Sequence, residues 1–514
     1  MHRGESTLPS RDAAAEGSDL RGLSDFARHR VVLIGLGSGV LYAITYLLQR
    51  SISLHDVSGS LRTDTDHAAI GLLWLIGLYG ATTIATFWLY GRLIALCARG
   101  GMRDTAARTL AFAFPLVFNI ALAIGRPYFS IDVLSYLAQG YQATAGQNPY
   151  VHPVKEIINT GFGADLARLG WRPVHGLSPY GPLWTWLEMA VAGLTPDIAT
   201  QIAMIKVLVI VASLGSAGLV WLILGRVRPG AQMLGTMLYL WNPVVIVEFA
   251  GEGHNDSLMI GFLLLSLLWF IRARSGAGLV ALGLGAIVKA AAPIVLPAQV
   301  VYSWRTRPDR RRLVFELLLG AIVGVGVAAL LYAPLWVGKA TLAGLRAHSR
   351  PSVLASTPGV LFWYLTRSHS EDASARLISL AMGGAFVSYV AIVSLRVTDA
   401  KSLVRAGGGI AVAYLVLAPG YWAWYAALPV ALLALSPDHT FRWLIVAVSL
   451  CSRLAAPIDI LRVNGVMGWE TEVLSATIVG VWAPVFVFLL RQSWRARLEW
   501  RGRYGRRLET TSQA

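Results

Sequence analysis

The chain has 514 residues, 55% of them hydrophobic and only 14% charged, with a mean hydropathy of +0.58. An ordinary soluble domain is excluded, because apolar segments recur along nearly the whole length and require a transmembrane helix bundle. The net charge of +16 does not indicate nucleic acid either: Arg and Lys collect in short loops and both tails, and no basic groove is interleaved with aromatics.

In chain order, residues 1–30 read as a polar cytoplasmic tail, disordered over 1–25 and unlike a cleavable signal peptide. A window of about 20 residues, combined with the positive-inside rule, then gives an alternating walk. The first span, 31–48, is a signal anchor leading to an acidic outside loop with Asp56, Asp64 and Asp66. The second, 68–97, returns to Arg99, Arg103 and Arg108, and the third, 109–125, delivers Asp132 outside. A large loop, 126–181, follows. The apolar stretch 182–195 is short and reads as a half-helix or interfacial helix. Spans at 199–224, 232–250 and 257–271 come next, then two short helices over 278–303 hinged around Lys289 to Pro293. After the basic run Arg305 to Arg312 come spans at 313–333 and 376–395. A second broken hairpin, 407–436, turns at Pro419-Gly420-Tyr421-Trp422, and the last spans are 441–456 and 473–490.

The expected fold is thus an all-α polytopic membrane bundle over residues 31–490, with about 14 crossings. Every basic cluster falls on one side, which places both termini in the cytoplasm. Residues 491–514 form a basic cytoplasmic tail, whose run from Arg491 to Arg507 suits anionic lipid headgroups. Cys97 and Cys451 are expected to be free thiols.

The polar oddities gather in the outside loops. If 131–141 are helical, Asp132, Ser135, Tyr136 and Gln139 share one face, and Leu134, Leu137, Ala138 and Tyr141 share another. Such a helix lies on the membrane surface with its acid turned towards water, where a general base would serve; equally, Asp132 complements the helix dipole. Asn148-Pro149-Tyr150 is a turn signature or a substrate contact. Tyr180-Gly181-Pro182-Leu183-Trp184 is a turn with an interfacial aromatic anchor. Gly253-His254-Asn255-Asp256 starts a helix, with Asn255 or Asp256 as cap and His254 left over. Lys289 either snorkels to the interface or binds an anion. His348 and Arg350 are solvated loop residues or ligands, and the Trp/Tyr cluster 421–425 is an aromatic belt or a carbohydrate platform. No metal-ligand pattern, Walker loop or dinucleotide fingerprint is present, so no cofactor is expected.

A span, an acid on a loop helix, Gly146-Gln147-Asn148-Pro149-Tyr150 and Tyr180-Gly181-Pro182-Leu183-Trp184 together resemble the GT-C glycosyltransferases. Trp241-Asn242-Pro243 and Gly253-His254-Asn255-Asp256 narrow this to a resemblance over roughly 30–490. It is to the polyprenol-phosphomannose-dependent α-1,6-mannosyltransferases of actinobacterial lipomannan and lipoarabinomannan synthesis. The Asp and Asn-Pro-Tyr elements also recur in sister α-1,2-mannosyltransferase and arabinofuranosyltransferase families. The resemblance implies an inverting transfer from polyprenyl phosphomannose to a lipid-anchored mannan at the extracytoplasmic face of the plasma membrane, with Asp132 as general base. Lys289 and Arg350 would stabilise the departing phosphate, and His254 would assist the phosphate or the acceptor. Tyr136, Asn148, Tyr150, Tyr180 and Trp422 would shape the sugar site, and Asn255, Asp256, His348 and Tyr425 complete the expected substrate-binding set. A different class, a secondary transporter or lipid flippase, would also use many spans and broken hairpins. It would not require an acid-bearing loop helix.

Overall fold

The computed structural model describes residues 11–54, 65–100, 102, 104–172, 176–352 and 354–494, all helix, turn and loop, with no strand among them. The bundle opens with α1 (Arg11–Leu54), α2 (Thr65–Ala98) and α3 (Thr105–Ala123). The loop after α3 carries α4 (Asp132–Thr144) and α5 (Gly161–Arg168) and ends at α6 (Pro182–Leu194). Then come α7 (Ile198–Val227), α8 (Gln232–Leu240), α9 (Pro243–Ile246), α10 (Asp256–Ile271), α11 (Ser275–Ala286) and α12 (Leu296–Thr306). After α13 (Arg310–Tyr332), two short helices, α14 (Ala343–Ser349) and α15 (Thr357–Leu365), precede α16 (Glu371–Leu395) and α17 (Ala400–Leu417). The chain closes with α18 (Ala427–Leu433), α19 (His439–Ala455), α20 (Ile458–Val463) and α21 (Trp469–Thr477).

Aspartate side chains start five of the long helices. Asp104, Asp197, Asp309, Asp399 and Asp438 each accept a backbone N–H of the first turn, which stabilises each start by about 1 kcal/mol. Their bodies are apolar, and α13 and α16 leave most of their length exposed, as lipid-facing helices do. The core lies instead around α9 and α18, in which every residue is buried, with the inner faces of α8, α10 and α17 packed about them.

Two sequence expectations change. Helix α1 begins at Arg11, so 11–30 is helical rather than a disordered tail; residues 1–10 lie outside the described residues. So do 55–64, which include Asp56 and Asp64, and the C-terminal tail from 495. Among the described residues nine helices are long and apolar enough to span, and a tenth if the bent pair Pro229–Leu240 and Pro243–Gly251 counts as one. The larger sequence count took α10, α11, α12 and α18 as crossings. They have 16, 12, 11 and 7 residues, so at about 1.5 Å per residue each falls short of a hydrocarbon layer of about 30 Å.

Candidate active site

The bent pair builds one wall of the site. Pro243 cannot continue α8, and the Asn242 side chain accepts the Val244 N–H at 2.9 Å while donating to Ser449 Oγ at 2.9 Å. Trp241 donates its indole N–H to the Ala111 carbonyl at 2.6 Å, fixing the bend of 49° against α3. The helix then runs into a π turn, Val247–Gly251, that presents Glu248 and, one residue after the turn, Glu252. Gly253 follows with φ +78°, and a Cβ there would lie 2.4 Å from Val133 Cγ2. Only glycine satisfies both the left-handed backbone and the close approach to α4. That contact brings His254 beside Asp132.

Asp132 stands at the start of α4, its own N–H donating to Ser130 Oγ at 3.1 Å. The expected surface helix with a water-facing acid is corrected here: Asp132 through Gly140 are all buried. The long loop supplies partners to the polar face. Trp171 Nε1 donates to Ser135 Oγ at 3.3 Å, Ser178 Oγ donates to Gln139 Oε1 at 3.0 Å, and Tyr136 packs edge-on against Tyr180 and Trp184. Trp184 is therefore a core residue, not an interfacial anchor; it is 0% exposed.

Asp132 is buried, and its carboxylate meets His254 and Tyr180. His254 Nδ1 lies 3.4 Å from Oδ2, and the Tyr180 hydroxyl donates to the same oxygen at 3.4 Å. His254 Nε2 lies 3.3 Å from Glu248 Oε2. These His254 contacts are ion-pair distances, longer than tight hydrogen bonds. Burial opposes charge on the imidazole, but the two flanking carboxylates outweigh it and raise its pKa to about 9. At neutral pH the imidazolium is thus the favoured form of His254, set between two carboxyl groups. Its ring stacks on Trp424 at 3.8 Å, and Trp424 stacks on Trp422 at 5.4 Å, an arrangement that favours the charged ring. Behind Glu248, Arg453 of α19 donates to Glu248 Oε1 through Nη1 and to the Tyr79 hydroxyl through Nη2 at 2.6 Å.

A second charged pair lies beyond Tyr136. Lys289 Nζ meets Asp256 Oδ2 at 2.7 Å and lies 4.9 Å from the Tyr425 ring centre. Asn255 and Asp256 begin α10, but neither side chain caps it: Asp256 is used by Lys289, and the buried Asn255 amide has no hydrogen-bond partner. The turn bearing Lys289 is docked by the Tyr180–Trp184 segment. Gly181 N–H donates to the Val288 carbonyl at 3.1 Å and Leu183 N–H to that of Ile287 at 3.1 Å. A Cβ on Gly181 would lie 2.2 Å from the Ile287 oxygen. Beside this junction is a narrow pocket of about 20 Å³, lined by Tyr150, Ser178, Tyr180, Ala290, Tyr332 and Leu345. It has room for about one water.

The remaining expected site residues scatter. Asn148 makes a turn, accepting the Tyr150 N–H at 3.0 Å and donating to the Leu335 carbonyl at 2.7 Å. Tyr150 lines the pocket, with its hydroxyl 3.0 Å from Thr185 Oγ1. His348 and Arg350 are exposed at the end of α14, and Arg350 pairs with Asp372. The structure therefore brings together Asp132, Tyr136, Tyr180, His254, Asn255, Asp256, Lys289, Trp422 and Tyr425, but not His348 or Arg350. Sequence reasoning took Trp424 only as part of the aromatic cluster, and missed Arg453 and the roles of Glu248 and Glu252. It also missed Glu188, a fully buried carboxyl beside Trp184 whose pKa burial pushes well above the ordinary range. Arg453 had a signal: a charge within an apolar span.

Fold and site together define a polytopic membrane protein with a buried Asp–His–Glu–Arg chain where the ends of several helices meet. Residues 27–305 match the family profile described as alpha-(1->6)-mannopyranosyltransferase, N-terminal domain. The chain belongs to that family. It is similar to alpha-(1->6)-mannopyranosyltransferase A of Corynebacterium glutamicum, 33% identical over 198 residues, covering 37% of each chain. It is also similar to the probable alpha-(1->6)-mannopyranosyltransferase of Mycolicibacterium smegmatis, at 29% over 48% of this chain and 40% of that one. A third relative, alpha-(1->6)-mannopyranosyltransferase A of Mycobacterium tuberculosis, is 27% identical over 53% of this chain and 50% of that one. The matched stretches thus span half or less of each of these relatives.

Proposed function

We propose that this chain is an inverting membrane glycosyltransferase. It moves mannose from polyprenyl phosphomannose to a lipid-anchored mannan and forms an α-1,6 linkage. The observation that carries the reading is the Asp132 carboxylate, held between the His254 cation and the Tyr180 hydroxyl. In this reading Asp132 takes the proton of the acceptor 6-hydroxyl as that oxygen bonds to the anomeric carbon. The bond from that carbon to the phosphate oxygen breaks on the opposite face, with charge developing as in an oxocarbenium ion. The cationic imidazole keeps the carboxylate ionised beforehand. Burial, with the charge of Asp132 adding to it, lifts the Tyr180 phenol well above its ordinary pKa, so it remains a hydrogen-bond donor. Lys289 gives Asp256 one of its three ammonium donors and offers the others to the leaving phosphate. The orphaned Asn255 amide suits a sugar hydroxyl, and the Trp422–Trp424 stack suits a sugar face. The positive-inside pattern supports a site on the extracytoplasmic face with both termini in the cytoplasm.

The test is transfer by purified protein supplied separately with polyprenyl phosphomannose and a lipid-linked arabinofuranose, with the product linkage determined. Mannose in an α-1,6 linkage is expected, and arabinose transfer alone would overturn the reading. The same assay carries a pH prediction. His254 has its pKa raised from 6.5 to about 9, so the imidazolium's hold on Asp132 is complete below the lower value and is lost as pH rises through the upper one. Activity should fall along an alkaline limb near pH 9, absent from a His254→Lys variant.

A further inference from the structure

The turn between α3 and α4, which aims Asp132, is gripped by two buried charges that the proposed chemistry does not use. Amides 128–130 have no helix partners, and all three point at one oxygen: Tyr128, Phe129 and Ser130 N–H reach Glu252 Oε2 at 3.1, 3.1 and 3.0 Å. Successive amides converging in this way form an anion-binding concavity, here filled by the protein's own carboxylate. Its other oxygen accepts from Gln49 Nε2 at 3.2 Å. Just before the turn, α3 ends and leaves carbonyls without intrahelical donors. Lys206 of α7 donates its ammonium to one of them, Leu122 at 2.9 Å, and to the Gly125 carbonyl in the turn that follows. Lys206 is 0% and Glu252 2% exposed, and their opposite charges attract each other.

We infer that Glu252 and Lys206 are positioning residues: they clamp the α3–α4 turn from its amide and carbonyl sides and so set where the Asp132 carboxylate stands relative to His254. The assignment rests on the mannosyl-transfer reading. Its force comes from connectivity. Glu252 is two residues from His254 and Ser130 two from Asp132, so one carboxylate ties together the two loop ends that carry the reacting pair. A displacement of about 1 Å in such a pair costs about a hundredfold in rate, and these anchors are the contacts that resist it.

The experiment uses the full chain in lipid nanodiscs, comparing Glu252→Ala and Glu252→Gln with the unaltered protein. Backbone hydrogen exchange at 128–130 and kcat and KM for the mannosyl donor are both measured. For E252A, faster exchange confined to that turn and a kcat lowered about a hundredfold are expected, with donor KM within about twofold. E252Q, whose amide oxygen still accepts the three N–H groups, should recover most of both. Unchanged exchange in E252A overturns the clamp, and faster exchange with unchanged kcat overturns its positioning role. A Gln variant as slow as Ala overturns the hydrogen-bond account. If E252A does not accumulate, Glu252→Asp, with the carboxylate withdrawn by one methylene, replaces it under the same criteria. An unaltered protein that transfers no mannose defeats the proposed function, while the exchange data still decide the clamp.

Discussion

Asp132→Asn should lower mannosyl transfer by about a thousandfold and leave the protein folded. The amide has the shape of the carboxylate but cannot take a proton, and a positioned base contributes about 10²- to 10⁴-fold. Folding should survive, because α4 is seated by other residues. Ser130 Oγ accepts the Asp132 N–H, which the substitution leaves in place, and Ser135, Tyr136 and Gln139 are held by Trp171, Tyr180 and Ser178. The measurement pairs initial rates with polyprenyl phosphomannose with the elution profile of the variant. A correctly folded variant turning over near the normal rate would remove Asp132 as the base and, with it, the reading of His254 as the group that keeps it ionised.

Hydrophobic periodicity made the long spans legible, since length and apolarity in a bilayer leave the chain little alternative to helix. The broken hairpin around Lys289 was legible too, from short apolar runs flanking Ala290 to Pro293. The exposure of α4 was not. Its spacing separates a polar from an apolar face, but cannot say that Trp171, Ser178 and Tyr180, some 36 to 48 residues further on, close over the polar one. The same limit explains the site. Gly253-His254-Asn255-Asp256 reads locally as a helix start, and only the fold against Val133 turns its histidine towards Asp132. Nothing local marks Glu252 as an anchor, because its partners are over 120 residues away. Lys206 and Arg453, in contrast, were visible as charges within apolar segments, the strongest signal left unused.

Arg453→Met tests the far end of the charge chain and should be the most destabilising of these changes. Arg453 and Glu248 are each 2% exposed, so removing the guanidinium leaves a carboxylate in the bundle with only His254 opposite. Breaking a buried ion pair on one side costs about 3–5 kcal/mol, enough to consume much of a typical domain's net stability of about 5–15 kcal/mol. A large fall in the thermal midpoint in detergent is expected, with loss of monodisperse protein. The charge account makes a sharper demand of the double variant Glu248→Gln with Arg453→Met. With the orphan charge removed, most of the lost stability should return, because a neutral pair is often no worse than the ion pair it replaces. Activity should not return with it. His254 then loses one of the two carboxylates that raise its pKa, and its hold on the Asp132 anion weakens at neutral pH. Equal losses in the single and double variants would mean that Arg453 acts through packing against Tyr79 rather than through its charge.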